Sequence, residues 1–400
     1  MPDSPAEPQP SASRNVYVFG VTSFFNDVAT EMAYWVLPAF LASLGAGPAQ
    51  LGLIEGIAES VASFAKLFSG HLTDRVARRK PLVVGGYFVA NAVKPLLAVA
   101  TAWWQILLIR FSDRLAKGVR GAPLDVMVAE SVGKERLGSA YGLIQSMDSA
   151  GAIAGPLVAL LLLARYGIRS VFWAAAIPGA LAALVALVGV RETDRAAASE
   201  AKPGVNAAAS LNRPALPTSF FLVLSAVTLF SIGNSSDMFL VMRAQSAGIR
   251  VALAPLLGLV FNITYTLGSW PAGWFSDQVS RRGYSRRWIA VAGYLIFAGV
   301  YCVFGRAPSL LAIWLAMAIY GLYYALTQPV LKALVVESVA PEIRGRALGI
   351  YFFATSVATL AASLITGELW SHYGPVWPFY FSGGVAVVAA LVLMVSERRK

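Results

Sequence analysis

The chain has 400 residues, of which 57% are hydrophobic and 13% charged, and it carries a formal net charge of +11. Soluble domains carry about 25% charged residues, so too little charge is present to cover a water-exposed surface, and lipid must take its place as solvent. No P-loop, HExxH or GxSxG pattern occurs, His71 and His372 form no metal motif, and the single Cys302 allows no intrachain disulfide. An enzyme, a nucleotide-driven pump and a resident cofactor or metal therefore have no support.

Residues 1–14 are polar and rich in Pro and Ser, without the short basic-then-apolar pattern of a cleaved leader. A bilayer span takes about 20 mostly apolar residues. Stretches 170–190, 251–276, 288–305 and 374–396 meet this with no charged residue at all. In chain order the expected spans are 16–43, 50–71, 82–102, 104–127, 138–163, 170–190, 218–243, 252–276, 287–305, 309–335, 344–369 and 375–396. The widest break, 191–217, is polar and rich in Ala and Pro. The expected fold is an all-α membrane protein with twelve transmembrane helices in two six-helix bundles, 15–190 and 218–396, joined by that linker and closed by the basic tail 397–400.

Lys and Arg set the orientation. With the N-terminus inside, cytoplasmic segments hold twenty of them, and the outer loops hold only Arg165, Arg169, Arg250 and Arg306. This bias puts both termini in the cytoplasm. It also accounts for the basic excess without nucleic acid, because the charges sit in short loops between apolar runs. A short chain with small loops points to a bacterial inner membrane.

The two halves repeat each other. GHLTDRVARR at 70–79 is echoed by GWFSDQVSRR at 273–282, and VAESVGKERLGSAYG at 128–142 by VVESVAPEIRGRALG at 335–349. The offsets are 203 and 207, so the copies are nearly in step. Parallel repeats of six helices are a known transporter design, with the substrate site at their interface.

These motifs resemble the major facilitator superfamily over nearly the whole chain. GHLTDRVARRK at 70–80 matches its loop motif between the second and third helices. Arg114-Leu-Ala-Lys117-Gly118-Val-Arg120 is similar to its fourth-helix RxxQGxG pattern, with Lys117 and Arg120 departing from it. Gly151, Gly155 and Pro156 resemble its fifth-helix GxxxGP motif, which is associated with antiporters, although the GG pair that follows in the family is missing. The resemblance implies a gate at Gly70, Asp74, Arg75, Arg78 and Arg79, with a weaker copy at Gly273, Asp277 and Arg281. Gly70 would let two helices approach closely, and Asp74 would accept from a neighbouring helix N-terminus. The resemblance also implies that helices 1, 4, 7 and 10 line a central cavity.

The expected spans carry many charges. A charge at a helix centre costs about 2.5–3.5 kcal/mol on insertion scales, so it faces protein or a water-filled cavity. Asp27, Glu31 and Tyr34 lie at i, i+4 and i+7, on one helix face, and Glu55, Glu59, Ser63 and Lys66 share another. Asp27, Glu31, Tyr34, Arg114, Lys117, Asp237, Arg243, Gln328 and Lys332 fall on the four cavity helices. Each serves either in the site or in a structural ion pair. Glu31, Glu59 and Asp148 are the candidates for proton coupling, since a carboxylate in a poorly hydrated place can exchange a proton near neutral pH. Gly52 and Gly56 form a small-residue pair suited to helix packing.

The function expected is alternating-access secondary transport, driven by the proton gradient and carried out by a monomer. The substrate is a small polar or anionic solute, because the fourth helix is basic, and the fifth-helix motif favours export. The alternatives are a divalent transition-metal carrier using the carboxylates, and a multidrug efflux pump, which calls for an aromatic cavity with one or two acids.

Overall fold

The structure, a computed structural model, describes residues 10–76, 78–132, 137–193, 216–282, 285–339 and 343–395. Within the helices the side chains of Asp74, Arg75, Asp277, Arg281, Gln328 and Lys332 are among those outside the description. Residues 1–9, 194–215 and 396–400, which take in much of the expected N-terminal stretch, most of the linker and the basic tail, are also outside it.

The N-terminal half holds α1 (Pro10–Tyr34), α2 (Leu37–Ser43), α3 (Pro48–Arg75), α4 (Lys80–Val93), α5 (Trp103–Glu130), α6 (Leu137–Tyr166) and α7 (Ile168–Gly189). The C-terminal half holds α8 (Thr218–Gly233), α9 (Met238–Ser246), α10 (Ala254–Arg281), α11 (Arg287–Arg306), α12 (Leu310–Glu337), α13 (Arg344–Tyr373) and α14 (Trp377–Val395). Among the described residues nine spans are both long and apolar enough to cross a membrane. The three expected spans missing from that set lie on α1, α3 and α5. α3 and α5 have 28 residues each, about 40 Å at 1.5 Å per residue, so length does not fail them. Their charge does, and the charge faces inward.

Three expected spans are not continuous helices. The first breaks at Trp35–Val36, and α2 restarts with Pro38 in its first turn, where a missing N–H costs nothing. The third leaves α-geometry at Val93 and continues as a 3-10 turn, Lys94–Val99. Pro95 lies at its start, and its ring cannot join an α-helical ladder. The seventh breaks between Gly233 and Met238. In the intervening Asn-Ser-Ser-Asp run the Ser236 hydroxyl accepts from the Met238 amide at 3.3 Å, a local bond of the kind that competes with a helix.

The repeat read in the sequence is a repeat in packing. In the N-terminal half α1 packs on α6 and α7, α3 on α5, and α4 on α5 and α7. In the C-terminal half α8 packs on α13 and α14, α10 on α12, and α11 on α12 and α14. The halves meet along α3 with α13 and α6 with α10, two contacts that the pseudo-twofold exchanges. Glycine permits the closeness. A Cβ on Gly56 would stand 3.2 Å from the Leu360 carbonyl, and one on Gly367 2.7 Å from the Pro48 carbonyl.

The core is layered. One apolar cluster of the N-terminal half (Phe40, Leu51, Ile106, Phe172) lies at the end remote from the linker. A second (Phe19, Tyr87, Met127, Val190) lies at the linker end. Charged and amide side chains fill the slab between them. At the remote end the halves share their cores, since Met238 and Phe239 join the first of these clusters and Trp35 joins the core of the C-terminal half.

Candidate functional site

α5 carries one basic or acidic side chain per turn, and most of them find a partner inside the N-terminal half. Arg110 donates to both oxygens of Glu55, at 2.9 and 2.8 Å. Glu55 is 0% exposed. Arg114 pairs with Glu59 at 3.2 Å, and Lys66 with Asp125 at 3.2 Å. Lys94, held by the 3-10 turn, donates to Asn91 at 3.0 Å and lies 3.7 Å from Asp113, which is 4.0 Å from Arg110. Asn91 donates in turn to Asn26, and Asn26 to Asp27, both at 3.2 Å. A polar chain thus runs through the half from Asp27 to Glu55. Arg120 stacks its guanidinium over Tyr87, 4.2 Å from the ring centroid.

Three of the basic residues expected in the cavity therefore have different surroundings. Arg114 is neutralised by Glu59. Lys117 is exposed and makes no ion pair among the described residues. Arg243 is not with the others. It donates to the carbonyls of Phe304 and Gly305, both at 2.9 Å, and closes the C-terminal end of α11. The side chains of Gln328 and Lys332 lie outside the described residues.

The acids divide the other way. Among the described residues Asp27, Glu31, Asp148 and Asp237 have no cation within 4.0 Å. Glu31 accepts from the Trp35 indole at 2.7 Å, and Asp237 from the Tyr320 hydroxyl at 2.6 Å. One oxygen of Asp148 is buried with no hydrogen-bond partner. Gly151 and Gly155 explain the closeness of the helices that bear these acids. A Cβ on Gly155 would be 2.8 Å from the Glu31 Cβ, and one on Gly151 3.0 Å from the Asp27 Cβ. The fifth-span motif is thus the track on which the carboxylate face of α1 lies. No three Asp, Glu, His or Cys side chains among the described residues gather as metal ligands.

The opposing wall is aromatic. Phe261 and Tyr265 of α10 stack with centroids 6.0 Å apart, and both meet Tyr324 of α12 edge-on at 5.3 and 6.2 Å. Tyr324 packs 5.3 Å from Tyr320, the donor to Asp237, and Phe261 lies 6.1 Å from Trp35 of the other half. A charged N-terminal wall therefore faces an aromatic C-terminal one.

Access to the cleft is one-sided. At the remote end Ser236 of the C-terminal half donates to Glu55 at 3.2 Å, Tyr34 lies 3.4 Å from Ser236, and Arg110 sits 5.7 Å over the Tyr34 ring. Towards the linker end exposure rises, to 42% for the Glu59 side chain and to 59% and 47% for Lys66 and Asp125. The cleft is closed remotely and opens towards the linker.

At the linker end the loop motif acts within one half. Arg79 is buried and donates to both Glu130 oxygens at 2.7 and 2.6 Å, while Glu192 accepts from the Arg79 and Lys80 amides at 2.8 and 3.1 Å. Arg78 is exposed. Among the described residues nothing would lie within 4 Å of a Cβ on Gly70. The side chains of Asp74, Arg75, Asp277 and Arg281 lie outside the description.

Sequence reasoning did not place Trp35, Ser236 or Asn262 in a site, although Asn262 joins α10 to α6 by donating to the Ala152 carbonyl at 2.9 Å. A polar residue inside an apolar span was the available signal for Asn262. Nothing local marked the other two.

Known proteins agree with this architecture. The profile described as Major Facilitator Superfamily matches residues 19–282 and again 223–400. An uncharacterized MFS-type transporter of Methanocaldococcus jannaschii is 31% identical over 390 residues, covering 96% of this chain and 94% of its own. The multi-drug resistance efflux pump PmrA of Streptococcus pneumoniae is 24% identical, covering 90% of each chain. Among solved structures, a POT family transporter in complex with a thioalcohol-conjugated peptide superposes with a TM-score of 0.80 at 12% identity, covering 96% of each chain. The nucleoside transporter NupG superposes with a TM-score of 0.74 at 16% identity, covering 96% of this chain and 99% of its own.

Proposed function

Because the chain belongs to the major facilitator superfamily, we propose that it is a proton-coupled antiporter that exports small organic solutes bearing a positive charge, zwitterions included. The observation that carries this reading is the imbalance left after pairing. Arg110 and Arg114 are taken by Glu55 and Glu59, whereas Asp27, Glu31, Asp148 and Asp237 have no cation within 4.0 Å among the described residues. The anionic solute expected from a basic fourth helix loses two of the bases on which it rested. Lys117 keeps part of that expectation, as the group that would receive the anionic end of a zwitterion.

Antiport follows from competition. A proton and a cationic solute cannot both occupy the same carboxylates, so binding one displaces the other. Glu31 and Asp148 are the proposed exchange sites. Glu59 is a third, whose protonation would release Arg114 into the cleft. The aromatic wall of Phe261, Tyr265 and Tyr324 would hold the apolar body of the solute, and ring faces attract cations. The multi-drug resistance efflux pump PmrA among the relatives supports the reading of export. The twenty inside-facing Lys and Arg make the linker end cytoplasmic, so the conformation described is open to the cytoplasm.

The test uses purified protein in liposomes loaded with a pH-sensitive dye. An arylalkylamine, the amino acid built on the same ring and the corresponding carboxylic acid are added in turn, with divalent metals as a further arm. Proton flux with the amine and the amino acid but not the acid, and its loss in Glu31→Gln with the fold retained, is the expected result. Flux with the carboxylic acid alone, or with metals alone, overturns it, as does wild-type coupling in Glu31→Gln.

A further inference from the structure

Trp35 occupies an unusual position. It lies just past the end of α1, in the break before α2, yet it is 2% exposed and belongs to the apolar core of the C-terminal half. Its indole ring lies on the Cα of Gly258 in α10, where no Cβ could fit. The ring sits 6.1 Å from Phe261 and 5.3 Å edge-on from Tyr34. Its N–H points back and donates to Glu31 at 2.7 Å. One side chain thus joins a membrane carboxylate to the packing that closes the remote end of the cleft.

We infer that Trp35 is a latch that lets the remote end open only when the charge of Glu31 is occupied, by a proton or by the solute. The inference rests on the reading of Glu31 as an exchange site. An ionised carboxylate holds an N–H donor more strongly than a neutral carboxyl does. With Glu31 ionised and empty, the indole is held along α1 and stays seated on Gly258. With the charge taken by a proton or a cation, the indole loses its anchor and α1 can part from α10. An empty carrier then cannot turn over, while both loaded forms can, and this is the condition that separates exchange from leak.

Glu31 shares its surroundings with few other charged groups. Asp27 is the charged neighbour on its own helix, Lys117 faces it from α5, and Asn262 faces it from α10. The α6 surface against it is Gly155, which carries no charge. Asn262 is tied to the Ala152 carbonyl, so α10 is registered to α6 at the same level and the latch closes on a fixed seat.

The test reads the opening itself. Spin labels at Ala42→Cys in α2 and Val251→Cys before α10, in a Cys302→Ala background, report the distance between the halves at the remote end as pH is varied. The expected result is a closed distance at alkaline pH, opening with a midpoint at lower pH. Trp35→Phe keeps a ring on Gly258 but loses the donor, and loss of a donor to an ionised carboxylate lets the proton stay to higher pH. Its midpoint should move alkaline by about one pH unit. Glu31→Gln should abolish the pH dependence, and Gly258→Ala should give the open distance at every pH. An unchanged midpoint in Trp35→Phe, with Glu31→Gln flat, overturns the latch and leaves the exchange site standing. A wild-type profile in Glu31→Gln overturns both. If Gly258→Ala does not fold, Trp35→Phe decides alone.

Discussion

Replacing Arg110 by Met tests whether the buried pair with Glu55 is a structural lock at the remote end. The pair is bidentate at 2.9 and 2.8 Å, and Glu55 has no exposed surface. Without Arg110 the one remaining described donor to that carboxylate is the Ser236 hydroxyl at 3.2 Å. Breaking a buried pair from one side leaves an uncompensated charge and costs about 3–5 kcal/mol. That is about two to four decades in the unfolding equilibrium. Removing both charges together, as Arg110→Met with Glu55→Leu, should restore most of the loss, because two apolar groups owe no desolvation. The assay is reversible unfolding in mixed micelles titrated with a denaturing detergent, run as a double-mutant cycle. A loss below about 1 kcal/mol in Arg110→Met, the range of exposed pairs, would refute the reasoning, as would a double variant no more stable than the single.

Three further outcomes follow from the same geometry. Lys66→Met should change stability by less than about 1 kcal/mol in the same titration, since its pair with Asp125 is exposed. Gly155→Val places a side chain against the Val28 carbonyl, 2.8 Å from the Cβ position. It should cost about 1–3 kcal/mol and abolish solute-driven proton flux, because the face bearing Asp27 and Glu31 is displaced. Lys117→Ala should weaken the amino acid by up to about fivefold, the worth of one exposed charged contact, and leave the amine unaffected or tighter, as measured by tryptophan fluorescence titration.

Several features could be read from the residues without a structure. Span length and apolarity are local properties, so the helices α7, α10, α11 and α14 could be read directly from uncharged stretches. The repeat was legible because it recurs at nearly constant offset, and it reappears as exchanged contacts between α3 with α13 and α6 with α10. Gly52 and Gly56 could be read as a packing track from their spacing, whereas Gly151 and Gly155 were legible only as a family motif, and the structure shows them seating α1. The breaks in the first and third spans had local causes in Pro38 and Pro95. That in the seventh lay in a run of four polar residues, Asn234 to Asp237, inside an expected span.

Only the tertiary structure decided which charges cancel. Arg110, Arg114, Lys117 and Arg243 are alike as residues on cavity-lining spans. They part company because Glu55 and Glu59 on α3 reach the first two, no described carboxylate comes within 4.0 Å of the third, and the α11 carbonyls take the fourth. Pairing depends on which helices become neighbours and at what height, and a sequence of similar amphipathic helices leaves both open. The same holds for Trp35, whose role depends on a glycine more than two hundred residues away. The sequence by itself determined that this is a membrane protein of two repeated helical halves with charge buried between them, because insertion energetics act on each segment alone. The balance of that charge, the aromatic face set against it, and the end at which the cleft is closed arise from contacts between segments, and these exist only once the bundle has packed.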